Sequence, residues 1–226
     1  MNNSTSAMSQ YCLKEGYQSR EKPEYYVAHD TGIDWQQAVY DYAYTLAKQY
    51  QCHTVIDMGC GDGVKLQSFA SEFSVIGLDY GENIDYCQQQ YPESLWVNCD
   101  LEDATTYPKW DGSILSGALI ICADVIEHLA EPTILLDVLR NWLKYARAIV
   151  LSTPERDLVR GNNHMGPPLN PCHVREWNTD ELLCLLAQSG LHVQSLRCVP
   201  AYSGSNQDET MMVTLTGVIP KMKVEL

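Results

Sequence analysis

Two groups of residues have the types and spacing that chemistry needs. The first is Asp57-Met58-Gly59-Cys60-Gly61-Asp62-Gly63, an acid followed by three glycines at alternate positions. Without Cβ atoms, such a stretch bends sharply and lays bare backbone N–H groups against a ligand. The spacing is G-x-G-x-G, not the G-x-G-x-x-G of dinucleotide sites. The second group is Asp124, Glu127 and His128, an acid-x-x-acid-His arrangement. On a helical turn, residues three and four apart share a face. With His173 from a later segment, the set holds two carboxylates and two imidazoles. Such mixed oxygen and nitrogen donors suit a divalent ion such as Mg²⁺, Mn²⁺ or Zn²⁺. Each residue also has an ordinary use: glycines serve turns, strand-tip acids cap helices, and loop histidines bond to backbone.

The elements that carry these groups alternate. Val55–Met58 has the apolar content of a buried strand, and Val64, Leu66, Phe69 and Ala70 recur at helical spacing, so the glycines fall on a strand-to-helix turn. Ser74–Asp79 reads as a second strand, ending in Asp79 sixteen residues after Gly63. An acid at that tip can accept both hydroxyls of a ribose. A third strand, Leu95–Asn98, runs into Cys99-Asp100-Leu101, where a carboxylate can receive an adenine amino group with Leu101 against the ring. The fourth is Leu119–Cys122 and the fifth Ala148–Ser152. A helix over about 35–50 carries Trp35, Val39, Ala43 and Leu46 on one stripe. Pro132 opens a helix to about Lys144, and Asn178 caps another through Gln188, with Glu181 completing a capping box. Two last strands, near Val193–Cys198 and Met211–Gly217, pair antiparallel. The expectation is an α/β, Rossmann-like fold: a seven-stranded, mostly parallel sheet with an antiparallel last strand and helices on both faces. Ligands then bind at the strand C-termini. Residues 1–33 read as a polar arm or lid, 34–226 as one domain, and 102–117 as irregular.

These residues resemble class I S-adenosylmethionine-dependent methyltransferases over about Val39 to Gly217. The matches are the Asp57–Gly63 loop, Asp79, Asp100-Leu101, and Ala123-Asp124-Val125-Ile126-Glu127-His128-Leu129. The resemblance implies S-adenosyl-L-methionine as cofactor, with Asp57, Gly59, Cys60 and Gly61 at its methionine end, Asp79 at the ribose and Asp100 with Leu101 at the adenine. Tyr80, Ala123 and Asp124 complete that site. Asp124, Glu127 and His128, with His173 in His173-Val174-Arg175-Glu176-Trp177, also resemble the small-RNA 3′-terminal 2′-O-methyltransferases. Those carry an E-x-x-E-H set and a later H-x-x-E-W, which implies a divalent metal; Asp124 in place of Glu departs from that pattern. Ubiquinone-pathway O-methyltransferases have a similar E-H element, and many relatives carry D-V-I-E-H-L with no metal. The sulfonium donor is already activated, so the protein must align a nucleophile and remove its proton. His173, His164 and His128 are the candidate catalytic residues, and a vicinal diol suits a metal-assisted version. The segments Tyr11–Arg20, Gly166-Pro167-Pro168, His173–Trp177 and Asn206-Gln207 look like methyltransferases found with surface-polysaccharide synthesis, which implies O-methylation of a small-molecule or sugar hydroxyl. The alternatives are a phenol or amine of secondary metabolism, and a non-catalytic subunit that binds a partner through the cofactor fold.

Charge narrows the partners. Fifteen Lys and Arg against 29 Asp and Glu give a formal charge of −14 and leave no basic stripe for a phosphate backbone. A small molecule or sugar is expected, and no nucleic acid. Arg156, Arg160 and Arg175 flank one loop and are the only candidates for a local basic patch. No apolar run approaches membrane-spanning length, and Met1–Gln10 lacks the regions of a signal peptide. The nine scattered cysteines suit reduced thiols in a cytoplasm. Thr153–Trp177, 25 residues with four prolines, reads as an irregular functional loop. On the arm, Tyr17, Tyr25 and Tyr26 are placed to stack against a sugar, cover the cofactor or pin the arm.

Overall fold

The computed structural model describes residues 10–28, 35–110 and 112–217. The expected arm segments 1–9 and 29–33 lie outside the described residues. After the arm, the chain forms α1 (Gln37–Gln49), β1 (Thr54–Met58), α2 (Val64–Gln67), β2 (Ser74–Asp79), α3 (Gly81–Gln90) and β3 (Leu95–Asn98). Then follow α4 (Gly112–Leu115), β4 (Ala118–Ala123), a 3₁₀ turn (Ile126–His128), α5 (Pro132–Trp142) and β5 (Ala148–Pro154). Next come α6 (Arg156–Arg160), α7 (Thr179–Gln188), β6 (Val193–Pro200) and β7 (Asp208–Leu215).

One seven-stranded sheet runs in the order β3-β2-β1-β4-β5-β7-β6. Strands β1 to β5 pair in parallel, and β7 lies antiparallel between β5 and β6. The central strands are apolar throughout because both faces are covered. Ile56 and Ile120 point into one core with α5 and α7, while Val55, Leu119 and Ile121 point into the other with α1 and α3. Strand order departs in opposite directions from β1 and β4. A crevice therefore opens at their C-terminal ends, where open α/β sheets bind ligands.

Trp96 on β3 fixes the loop after β1 from the side. Its ring fills the space left by two missing side chains: a Cβ on Gly77 would sit 2.3 Å from it, and one on Gly63 2.6 Å away. The indole nitrogen donates to the Tyr91 carbonyl at 2.8 Å, which holds the ring there. A glycine inside β2 thus serves the loop and not the strand.

Three sequence expectations change. The stretch 153–177 is not wholly irregular: β5 extends to Pro154 and α6 follows, capped by the Glu155 carboxylate on Leu158 N. Residues 102–117 contain the short α4. The thiols are not all reduced, for Cys12 on the arm is bonded to Cys184 on α7 across 172 residues of sequence, a proximity only the fold creates. Among the described residues, no helix is long and apolar enough to cross a membrane. Gly77→Ala should lower unfolding stability by about 1–3 kcal/mol, since Trp96 and Cys60 leave no room for a methyl group. Chemical denaturation measures it, and an unchanged midpoint would refute the packing argument.

Candidate active site

A cleft of about 600 Å³ opens at the switch point. On the β2–β3 side it is lined by Asp79, Tyr80, Asp100 and Leu101, and on the β4 side by Ala123, Asp124, Val125 and His128. Between them lie Gly59, Cys60 and Gly61, with Tyr40 of α1 and Lys65 of α2 alongside. Pro23–Tyr26 and Ala28 of the arm also line it.

The glycine loop is shaped by contacts that only glycine allows. Gly59 has φ +76°, and a Cβ there would meet Val125 Cγ2 at 2.6 Å. Gly59 N and Cys60 N both donate to the Leu78 carbonyl, and Gly61 N donates to Asp79 Oδ2 at 2.8 Å. Asp79 also receives the Tyr80 N–H at 2.8 Å. Burial pushes the Asp79 carboxyl up to about 6, against those donors. Asp57, by contrast, is fully buried and does not line the cleft. Its Oδ2 accepts the Tyr40 hydroxyl at 2.8 Å, its Oδ1 has no partner, and burial pushes it up to about 7. Tyr40 was not singled out from the sequence. It belongs to the buried face of α1 with Val39, Ala43, Leu46 and Ala47, and reads there as core. Asp100 Oδ1 accepts the Glu102 N–H at 2.9 Å.

The second sequence group comes only partly together. Glu127, His128 and His173 bring one donor atom each to within 4.8 Å of one another. Asp124 does not join them. Its backbone is left-handed (φ +51°), which breaks the helical register before the 3₁₀ turn, and its Oδ1 accepts the Ser152 hydroxyl at 2.5 Å. Glu127 is fully buried; Thr153 donates to its Oε2 at 2.9 Å, and its Oε1 has no partner. Burial raises its carboxyl well above the usual range, and Asp124 adds to this. His128 is 3.0 Å from the Cys172 carbonyl through Nδ1, so that nitrogen carries the proton and Nε2 keeps a lone pair. Burial lowers its pKa to about 3, so the imidazole is neutral.

His173 contacts Glu176 Oε1 through Nδ1 at 2.8 Å and the Asn170 amide through Nε2 at 3.0 Å. It packs edge-on against His128 at 4.7 Å but does not line the cleft. His164 does not line it either; its Nδ1 accepts the Gly166 N–H at 3.3 Å. Of the three expected catalytic histidines, only His128 faces the crevice. The arm tyrosines divide by role. The Tyr17 hydroxyl accepts the Glu176 N–H and pins the arm, whereas Tyr25 and Tyr26 line the cleft. Tyr25 donates to the Tyr80 carbonyl at 2.6 Å, and the Tyr26 ring stands 5.7 Å from that of His128.

No basic patch forms from Arg156, Arg160 and Arg175, because each guanidinium has internal partners. Arg156 is fully buried and pairs with Glu181 at 2.5 Å and Asp157 at 3.0 Å. Arg160 pairs with Glu176, and Arg175 donates to the Leu129 and Ala130 carbonyls. Lys65 is the one Lys or Arg among the described residues that line the cleft.

Comparison with known proteins follows the same outline. A family model described as a methyltransferase domain matches residues 28–196. A probable S-adenosylmethionine-dependent methyltransferase of Mycobacterium tuberculosis is 28% identical over 184 residues, covering 76% of this chain and 64% of that protein. The chain therefore spans less than two thirds of the length of that curated relative. A ubiquinone biosynthesis O-methyltransferase of Glaesserella parasuis is 25% identical over 107 residues, covering 45% of each. Among solved structures, the methyltransferase domain of a bacterial Hen1 superposes with a TM-score of 0.58 at 21% identity, covering 80% of this chain and 97% of that one. The last of these is a likeness of fold.

The Arg156–Glu181 pair holds α6 against α7 beneath the loop that carries His173. Arg156→Met leaves the Glu181 carboxylate buried without its charge partner and should cost about 3–5 kcal/mol of stability. Urea unfolding tests this, and a loss below about 1 kcal/mol would show that the pair is dispensable.

Proposed function

The chain belongs to the methyltransferase domain family, and from that premise we propose that it transfers a methyl group from S-adenosylmethionine to a hydroxyl of a neutral small molecule or sugar. The observation that carries this reading is the single cleft joining three strand-end acids, Asp79, Asp100 and Asp124, to the glycine loop and to His128. In it, Asp79 is oriented by Gly61 and Tyr80 toward a ribose, and Leu101 offers an apolar wall beside Asp100 for a purine. The donor supplies an activated methyl on sulfonium sulfur, so the chain has only to align an acceptor and ease loss of its proton.

A neutral acceptor fits the electrostatics. Six acids line the cleft against Lys65 alone, and the three loop arginines are engaged elsewhere. A phosphorylated or polynucleotide acceptor would meet repulsion there. The exposed faces of Tyr25 and Tyr26 suit the C–H faces of a sugar ring.

Proton removal points to the Glu127–His128–His173 group. A lone imidazole with its pKa near 3 cannot hold a proton taken from a hydroxyl at neutral pH. The same neutral ring, beside an orphaned buried carboxylate oxygen and a second imidazole, fits the donor set of a divalent transition metal. Glu127 Oε1, His128 Nε2 and His173 Nε2, in exchange for its Asn170 contact, would hold it; Glu176 orients His173 through Nδ1 and Cys172 orients His128. A cation bound there supplies a Lewis acid that lowers the acceptor hydroxyl's pKa. Asp124 remains a wall of the cleft in this reading.

Two measurements test the proposal. S-adenosylhomocysteine at a hundred times its dissociation constant should raise unfolding stability by about 2.7 kcal/mol; NAD having that effect instead would overturn the reading. Manganese binding, followed by electron paramagnetic resonance, should be lost in Glu127→Gln and His173→Ala and retained in Asp124→Asn. Equal binding by all four proteins would remove the metal from the account.

A further inference from the structure

Asn83 stands in the first turn of α3 and is only 3% exposed, although its side chain is polar. The arm uses its amide at both ends. Oδ1 accepts the Ala28 N–H at 3.1 Å, and Nδ2 donates to the Tyr26 carbonyl at 3.1 Å. An amide offers a donor and an acceptor together, so it grips a passing backbone as a neighbouring strand would. Nδ2 also reaches Asp79 Oδ1 at 3.4 Å, which ties the same clasp to the strand-end acid. Two further contacts place the arm on either side of Asp79. Tyr25 donates to the carbonyl of Tyr80, the next residue after the acid, and its ring stands edge-on to that of Tyr80 at 5.1 Å. Ala28 lies over the glycine loop: a Cβ on Gly61 would sit 2.9 Å from the Ala28 methyl carbon, and Gly61 N is a donor to Asp79 Oδ2. With the arm in place, Asp79 is 8% exposed. Upstream, Arg20 N and Glu24 N donate to the Val174 and Pro171 carbonyls, so the arm changes partners after Glu24.

Resting on the methyl-donor reading, we propose that Asn83 is a positioning residue that latches residues 25–28 over Asp79, and that release of this latch controls entry and exit of the donor and its product. Residues before Glu24 stay fastened to the 165–174 stretch while 25–28 lift. The bonds that close the latch join protein to protein, not protein to ligand. Each is a bond between a side chain and backbone, of modest net strength, so the open form is a minor but populated state. Such a latch has a kinetic signature. Removing it raises the open fraction of the free and the loaded protein alike, so association and dissociation accelerate together while affinity hardly moves. A residue that holds the ligand itself acts mainly on dissociation.

Stopped-flow measurement of S-adenosylhomocysteine binding to the full chain tests this. In Asn83→Ala both rate constants should rise roughly tenfold, with the dissociation constant within about twofold of the unmodified protein's. Tyr25→Phe alters a ring that is 41% exposed and leaves the core untouched; it should raise both constants by a smaller common factor, about threefold. The Ala28 amide, followed by hydrogen exchange, should exchange faster in Asn83→Ala. A rise in dissociation alone would show that Asn83 acts through Asp79, and would overturn the latch while leaving the donor reading intact. Unchanged rates in both variants would do the same. Absence of S-adenosylhomocysteine binding to the unmodified protein would overturn the donor reading and the latch with it.

Discussion

The structure depends on one steric constraint: the backbone after β1 has to turn where no Cβ fits. Val125 presses on Gly59 from the β4 side, and Trp96 presses on Gly63 from the β3 side. Between these two walls the loop has positive φ at all three glycines. That conformation lets Gly59 and Cys60 reach the Leu78 carbonyl and Gly61 reach Asp79. The two strand ends are therefore tied to each other before any ligand arrives. Replacing any of these glycines strains the backbone, and at Gly59 and Gly61 it also displaces a residue that lines the cleft, Val125 or Ala28.

Charge is distributed with the same economy. The chain withdraws its acids at the strand tips from water, which raises Asp57, Asp79 and Asp124 above the usual carboxylate range. It engages its loop arginines in internal pairs. Glu176 illustrates the second pattern: burial works to raise its carboxyl, yet His173 and Arg160 hold it below the usual range. The cleft is left acidic, with a single lysine. Such a surface suits a cationic nucleoside donor and a neutral acceptor, and it disfavours polyanions.

The arm is hydrogen-bonded along the 153–177 segment before it reaches the cleft. Gln18 N, Arg20 N and Glu24 N donate to the carbonyls of Met165, Val174 and Pro171. Arg20 also gathers the Pro168 and His173 carbonyls. Further along, Ala28 N and the Tyr26 carbonyl are bound by Asn83 of α3. One run of arm residues thus spans from the backbone of His173 to Asn83, beside Asp79.

The sequence by itself determined the strands, their mostly parallel sense and the glycine turn, because apolar runs, helical spacing and glycine placement are local properties of the chain. It also marked Asp79, Asp100 and His128, since strand-tip position is visible once the strands are. The capping box of Asn178 and Glu181 was equally local, and it is present. What only the tertiary structure decided are relations between segments distant in the chain. Asp124 stands apart from Glu127, His128 and His173 because a left-handed backbone and Ser152 on a neighbouring strand redirect it. His164 stays out of the cleft, and Arg156 is consumed by Glu181. Tyr40 meets Asp57 only after α1 docks on the sheet, and Cys12 meets Cys184 only after the arm crosses α7. Spacing along a chain encodes faces of single elements; which side chain ends opposite which is settled by packing, where burial sets the energy of every charge.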